Sequence, residues 1–143
     1  MTKPIITIGV SGGSGGGKTH FARRLRNELG AEHVTYLLHD SYYKDLSHKT
    51  MEERAQNNFD HPDSLETDLL IDHIRELKKG CTVQVPTYDF ATHSRTATTV
   101  QADPRKIILV EGILILSQPE LVEELDLKIY VVSFSGLLFF FSL

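Results

Sequence analysis

The sequence predicts an α/β fold in which a doubly wound, mostly parallel sheet is covered by helices on both faces. Three observations predict it. Apolar runs typical of buried strands alternate along the chain with helical patterns of apolar residues. The first run, residues 5–10, is nearly continuous, as in strands that are buried on both faces. A glycine-rich segment follows this run directly and leads into the first helical pattern.

The elements of the first half each have their own signal. A helix is predicted to end at Gly30, and its apolar face is formed by Phe21, Ala22, Leu25 and Leu29. A second strand fits residues 34–38. Asp63 and Glu66 resemble a capping pair before a second helix that ends at Gly80. The apolar face of this helix consists of Leu70, Ile74 and Leu77.

The second half continues the alternation. Residues 83–86 predict a short strand that stops at its proline, and the polar residues 87–103 predict a β-hairpin insertion or a long loop. Residues 107–110 form the clearest second buried strand. A short helix is expected within 117–125, and a last strand at 128–132.

Composition excludes several classes of protein. The chain has 143 residues, of which 41% are hydrophobic and 24% charged, which is typical of one soluble globular domain. A net charge of −4 argues against binding nucleic acid. Cys81 is the sole cysteine, so an intramolecular disulfide and a cysteine zinc cluster are excluded. No apolar run is long enough for a membrane span or a secretory signal, and we expect a cytoplasmic protein.

The glycine-rich segment matches the pattern G-x-x-x-x-G-K-[ST]. Its residues are Gly12, Gly13, Ser14, Gly15, Gly16, Gly17, Lys18 and Thr19. Glycines let the backbone turn successive N–H groups toward phosphate oxygens, and the following helix adds its positive dipole end. Lys18 is expected to reach the β- and γ-phosphates, and the Thr19 hydroxyl to ligate Mg²⁺. The segment therefore predicts a P-loop NTPase fold that binds ATP or GTP; a flexible linker would not usually join a buried strand to an amphipathic helix.

Two carboxylates follow predicted strands. Glu111 ends the run 107–110 as in a Walker B strand, and Asp40 comes just after residues 34–38. One carboxylate could accept a proton from an attacking hydroxyl while the other holds the metal. Taken alone, Asp40 is better explained as a cap or turn residue, whereas for Glu111 an ordinary turn acid is the weaker alternative. The GTPase motifs D-x-x-G and N-K-x-D are absent from the sequence.

Five segments together resemble the uridine kinase (uridine-cytidine kinase) family. They are GVSGGSGGGKT (9–19), HDSYYKDLS (39–47), NFDHPDS (58–64), PTYDFATHSR (86–95) and VEGILIL (110–116). The resemblance covers about residues 4–131. It implies transfer of the γ-phosphoryl group of ATP, or of GTP, to the 5′-hydroxyl of uridine or cytidine, which gives UMP or CMP. Asp40 and Lys18 match the family's catalytic positions, and the residues implied to hold Mg²⁺ are Thr19, Asp40 and Glu111.

The resemblance also implies a nucleoside site. Asp60 would bind the ribose hydroxyls, and Tyr88 and His93 would contact the pyrimidine edge, since both can donate or accept hydrogen bonds. The remaining positions implied to surround the nucleoside are Tyr43, Phe59, Phe90 and Ile113. Without the family match, an aromatic residue is more often part of a core, and a histidine more often a surface residue.

The resemblance stops after residue 131. The family continues with an arginine-rich lid, whereas this chain continues with an apolar segment. We therefore expect a partial P-loop nucleoside kinase core at 1–132, truncated at the C-terminus, and an atypical hydrophobic tail at 133–143 that aggregates unless it docks. Without the lid, we expect a very poor kinase.

Two alternatives stay open. The first is a catalytically dead nucleotide-binding fragment that associates with intact kinase subunits, since the family tends to form homotetramers. The second is a related P-loop kinase acting on phosphoribulose or pantothenate. Only a pyrimidine nucleoside pocket requires Tyr88 and His93.

Overall fold

The computed structural model describes residues 4–13, 17–134 and 137–142. Seven strands and four α-helices follow one another along this part of the chain. The strands are β1 (Ile6–Gly12), β2 (Val34–Leu38), β3 (Val83–Asp89), β4 (Ser94–Ala102), β5 (Ile107–Glu111), β6 (Leu127–Phe134) and β7 (Leu137–Ser142). The helices are α1 (Lys18–Leu29), α2 (Met51–Ala55), α3 (Thr67–Lys78) and α4 (Pro119–Glu123).

Five strands form one sheet in the order β2-β5-β1-β6-β7. The first four are parallel, and β7 pairs antiparallel with β6. At its centre, Ile8 of β1 lies opposite Leu109 on one side and Leu127 on the other. Strands β3 and β4 form a separate antiparallel hairpin. The predicted α/β architecture, including the hairpin insertion, is confirmed.

Helices pack on both faces of the sheet, because side chains alternate between the faces along each strand. On one face, Ala22 of α1 packs with a buried cluster made of Ile8, Val10, Val34, Leu109 and Val131. On the other face, α3 and α4 pack with a second cluster that includes Leu37, Leu70, Ile74, Leu77, Ile108, Val110 and Leu121. Among the described residues, no helix has the length and apolar character to cross a membrane.

Two predictions about local structure were wrong. Strand β3 does not stop at Pro86 but continues to Asp89, because the hairpin has a free edge that tolerates a residue without an N–H. Asp63 lies in a 3₁₀ turn (Pro62–Ser64) and does not cap α3. Glu66 occupies the N-cap position of α3, but its side chain makes no capping hydrogen bond. Its carboxylate instead accepts a hydrogen bond from Arg95.

Candidate active site

The carboxyl ends of three parallel strands meet at one edge of the sheet. Glu111 at the end of β5 lies opposite Val10 of β1 and Leu38 of β2. The phosphate loop follows β1, and the 3₁₀ turn that carries Asp40 (His39–Tyr42) follows β2. Ligands of open α/β sheets bind at this edge. The fold thus brings the predicted loop and both predicted carboxylates to one place.

The phosphate loop joins β1 to the N-terminus of α1. A Cβ at Gly12 would lie 2.6 Å from the carbonyl oxygen of Val131, so only glycine fits there. Gly17 is the N-cap of α1 with a φ of +85°, a left-handed conformation that glycine adopts without strain. Lys18 and Thr19 lie in the first turn of α1, where the helix dipole favours an anion. Gly13 is exposed, and the predicted phosphate-binding residues Ser14, Gly15 and Gly16 lie outside the described residues.

The two carboxylates differ in their surroundings. Glu111 is only 4% exposed, and its Oε1 has no hydrogen-bond partner among the described residues. Asp40 is exposed as a residue, yet the protein atoms around its carboxyl group raise its pKa by partial burial. The charge of Lys18 lowers the pKa of Asp40 and the charge of Glu111 raises it, so both side chains act on the Asp40 carboxyl group.

Metal binding at this edge would depend on few protein ligands. Within the described part of the chain, no group of three or more His, Cys, Asp or Glu residues is arranged to hold a metal ion. Magnesium typically takes one or two carboxylates together with substrate phosphates and water. The unpaired buried oxygen of Glu111 fits that donor set, since a hard carboxylate oxygen is what Mg²⁺ prefers.

The turn that carries Asp40 packs against the start of α3 and against Gly112 after β5. His39 is 1% exposed, and its Nε2 shares a 3.0 Å hydrogen bond with the Thr67 hydroxyl at the start of α3. Burial lowers the pKa of His39 to about 4, so the ring is neutral near pH 7. Gly112 leaves room for this ring, because a Cβ there would lie 2.6 Å from the Cβ of His39. The residue after Glu111 therefore contacts the residue before Asp40.

Five aromatic side chains form a cluster near Asp40. They are Tyr43, Phe59, Tyr88, Phe90 and His93. Tyr43 lies at its centre, with ring centroids 5.3 Å from Phe59 and 5.2 Å from Tyr88. Burial raises the pKa of Tyr43 to about 12, with further contributions from Asp40, Asp60 and Tyr88. Tyr43 therefore connects the aromatic cluster to Asp40.

The predicted nucleoside residues differ in their surroundings. The Tyr88 hydroxyl is buried and has no hydrogen-bond partner in the described part of the protein. His93 stacks on Phe59 at 5.3 Å and has a φ of +51°, which is uncommon outside glycine. Asp60 is exposed. Ile113 is half-buried after β5, and its carbonyl accepts a hydrogen bond from Ser11 at 3.3 Å.

Two arginines that the sequence analysis did not single out hold the hairpin against the site. Arg95 donates from Nη1 to Glu66 at 2.8 Å and from Nη2 to the Tyr43 carbonyl at 3.1 Å. Arg54 donates to the Thr92 carbonyl at 3.0 Å. Arg95 ends the segment PTYDFATHSR, so the family-like pattern could have drawn attention to it. Arg54 lies between the family-like segments and carries no such signal.

Comparison with known proteins decides the family. The model of the phosphoribulokinase / uridine kinase family matches residues 7–140. The chain belongs to this family. It is 50% identical over 130 residues to a uridine kinase of Chloroflexus aurantiacus, and the match covers 91% of this chain and 62% of that relative. It is 47% identical over 131 residues to a uridine kinase of Streptococcus pneumoniae, and this match covers 92% of this chain and 61% of that relative. The chain thus spans about three-fifths of the length of these family members.

Solved structures agree with the family's fold. A possible uridine kinase from Bacillus stearothermophilus superimposes with a TM-score of 0.67 at 20% identity, over 91% of this chain and 72% of that one. A proposed fructose transport system kinase from Silicibacter sp. TM1040 superimposes with a TM-score of 0.73 at 20% identity, over 90% of this chain and 66% of that one. The predicted P-loop kinase fold is confirmed, as is the predicted resemblance to the uridine kinase family.

Proposed function

We propose that this chain provides the phosphate-binding and nucleoside-binding parts of a kinase that transfers the γ-phosphoryl group of ATP to the 5′-hydroxyl of uridine or cytidine. The observation that carries the proposal is the grouping of Lys18, Asp40 and Glu111 beside an aromatic cluster. Relatives with about 50% identity are named uridine kinases.

The P-loop would bind the phosphate donor. Backbone N–H groups of Gly12 to Thr19 and the N-terminus of α1 would bind the triphosphate, with Lys18 on its terminal phosphates. Thr19, Glu111 and Asp40 would hold Mg²⁺, which supplies charge neutralisation on the transferring phosphate. In phosphoryl transfer, alignment and charge stabilisation account for most of the catalysis, and these residues are suited to both.

Asp40 would act on the nucleoside hydroxyl. A general base works best when its pKa approaches the working pH, and partial burial moves the pKa of Asp40 in that direction. Lys18 opposes this shift and keeps the carboxylate available in its charged form. Asp40 would therefore accept the proton of the 5′-hydroxyl as that oxygen attacks the γ-phosphate.

The nucleoside itself would bind against the aromatic cluster. Asp60 lies close enough to Tyr43 to raise its pKa, which supports a ribose site next to the base site. The buried Tyr88 hydroxyl without a partner suits a polar edge of uracil or cytosine, because an unpaired buried hydroxyl is unfavourable. His93 on the same hairpin would contact the same edge.

Calorimetric titration of the chain with uridine, cytidine, pantothenate and ribulose 5-phosphate, each with the ATP analogue AMP-PNP and Mg²⁺ present, tests the substrate class. We expect binding of the pyrimidine nucleosides only. Tyr88→Phe should weaken uridine binding by about tenfold, the size expected for one lost hydrogen bond to a buried group. Tyr130→Phe, which alters an exposed tyrosine, is the matched control. Preference for pantothenate or ribulose 5-phosphate would contradict the proposal.

A further inference from the structure

Tyr36 of β2 lies on the same sheet face as Glu111. In the parallel pairing of β2 with β5, Tyr36 is opposite Leu109, and Leu38 is opposite Glu111. Side chains two residues apart on a strand share a face, so Tyr36 and Glu111 are diagonal neighbours on the face covered by α1. A tyrosine side chain is long enough to reach across this diagonal. Nothing in the sequence pattern singles this tyrosine out.

The polar ends of both side chains are buried and unpaired. Neither the Tyr36 hydroxyl nor Oε1 of Glu111 has a hydrogen-bond partner among the described residues. Their diagonal placement on one sheet face nevertheless brings the two groups near each other. After burial, the charge of Glu111 and a hydrogen-bonding contact to its carboxylate, one without the geometry of a normal hydrogen bond, raise the pKa of Tyr36. A buried polar atom without a partner costs about 1–3 kcal/mol. Two such groups near each other indicate a site that a bridging water molecule or a small side-chain rotation would satisfy.

The ring of Tyr36 is held in place from the opposite side. The guanidinium carbon of Arg26 in α1 lies 5.4 Å from the centroid of the Tyr36 ring, within the range of a cation–π contact. The ring also packs against the apolar cluster beneath α1. Phenylalanine would serve both of these contacts equally well. The hydroxyl, in contrast, has Glu111 as its polar neighbour.

We propose that Tyr36 is a positioning residue for Glu111, whose hydroxyl donates to the carboxylate, directly or through one water molecule, and fixes the orientation in which Glu111 holds Mg²⁺. The inference rests on the proposed function, because it takes Glu111 as a metal-binding residue. Removing a group that orients a metal ligand typically lowers the affinity for the metal 10- to 100-fold. Tyr36 would thereby connect the phosphate-loop helix, through Arg26, to the metal-binding edge of the sheet.

Binding of Mn²⁺ to the ADP-saturated chain, followed by electron paramagnetic resonance, tests this role without relying on activity. Tyr36→Phe removes only the hydroxyl and should weaken Mn²⁺ binding about tenfold. Affinity for ADP in EDTA should not change. Tyr130→Phe, at an exposed tyrosine, should leave both affinities unchanged.

Glu111→Gln separates failure of this inference from failure of the proposed function. If Glu111→Gln weakens Mn²⁺ binding but Tyr36→Phe stays within twofold of the parent, Tyr36 has no positioning role and the proposed function stands. If neither variant changes Mn²⁺ binding, Glu111 is not a metal-binding residue, so this inference fails together with the metal-binding role proposed for Glu111, whereas the substrate class is tested separately by the nucleoside titration. Weaker binding in Tyr36→Phe alone would also overturn the inference, because the effect would not pass through Glu111.

Discussion

His39 and Thr67 share a buried hydrogen bond, with 3.0 Å between Nε2 of the ring and the hydroxyl oxygen. The bond ties the turn that carries Asp40 to the first residue of α3. Because the ring is fully enclosed, protonating it would place an unpaired charge in the core, and burial lowers its pKa to about 4. The position of the proposed catalytic carboxylate therefore depends on a neutral histidine.

This histidine makes stability depend on pH. An unfolded chain protonates histidine near pH 6.5, whereas folded His39 protonates only near pH 4. Between these values the unfolded state binds more protons, so the free energy of unfolding falls as pH decreases. From pH 7 to pH 5 we expect a loss of about 2 kcal/mol from His39. Urea denaturation at pH 7 and at pH 5 measures this loss in the free energy of unfolding.

The matched variant for this measurement is His39→Gln, which keeps a group able to bond Thr67 but does not titrate. His73 also has a pKa lowered by burial, so only the difference between parent and variant reports on His39. We expect His39→Gln to lose markedly less stability at pH 5 than the parent does. An equal loss in both proteins would rule out His39 as the cause.

Gly112→Ala should destabilise the fold and displace the Asp40 turn. Its Cβ would lie 2.6 Å from the Cβ of His39 and 2.9 Å from Cγ2 of Ile115, and neither neighbour is a flexible side-chain end. Overpacking of this kind costs about 1–3 kcal/mol. Gly13→Ala is the control for stability, because no atom of the described residues lies within 4 Å of the added carbon. Thermal denaturation of both variants provides the comparison, and equal melting temperatures would show that the contact relaxes freely.

Arg95→Ala should loosen the hairpin from the site. The Arg95 side chain is 20% exposed and bonds both Glu66 and the Tyr43 carbonyl, so its loss should cost about 1–3 kcal/mol. Lys79→Ala removes a comparable ion pair whose lysine is 69% exposed, and it should change stability by less than about 1 kcal/mol. Urea denaturation gives both values. A smaller effect for Arg95→Ala than for Lys79→Ala would contradict this account of how the hairpin is held.

The main elements of the fold could be predicted because they depend on local patterns. Residues 34–38 were predicted as a strand from their apolar run alone, and they form β2. Asp40 and Glu111 were expected near each other because both follow parallel strands, and a shared sheet edge brings such positions together.

The parts that could not be predicted depend on contacts distant in sequence. His39 and Thr67 are 28 residues apart, and no pattern pairs them. The proximity of Tyr36 to Glu111 requires that β5 lies beside β2, an order that hydrophobic periodicity does not specify. Asp63 and Glu66 were predicted as a capping pair for α3, but Asp63 lies in a separate 3₁₀ turn, and Arg95 on the hairpin donates to the Glu66 carboxylate.

Asp40→Asn should separate chemistry from nucleotide binding. The amide is similar in shape and keeps one oxygen for the metal, while Lys18, Thr19 and Glu111 are unchanged, so we expect affinity for ATP–Mg²⁺ within about threefold of the parent. Because the amide is not basic, we expect a fall of at least about a hundredfold in any phosphoryl transfer to uridine. Calorimetry and a single-turnover assay with radiolabelled ATP measure the two quantities. Unchanged transfer would show that another group accepts the proton.

Calorimetric titration of the chain with ATP and Mg²⁺ tests the central claim most directly. We expect saturable binding at submillimolar concentrations, weakened at least about tenfold in Lys18→Ala because that variant loses a charged contact to the terminal phosphates. A folded sample that shows no heat of binding at millimolar ATP and Mg²⁺, or equal affinity in Lys18→Ala, would contradict the assignment of residues 12–19 as the nucleotide site.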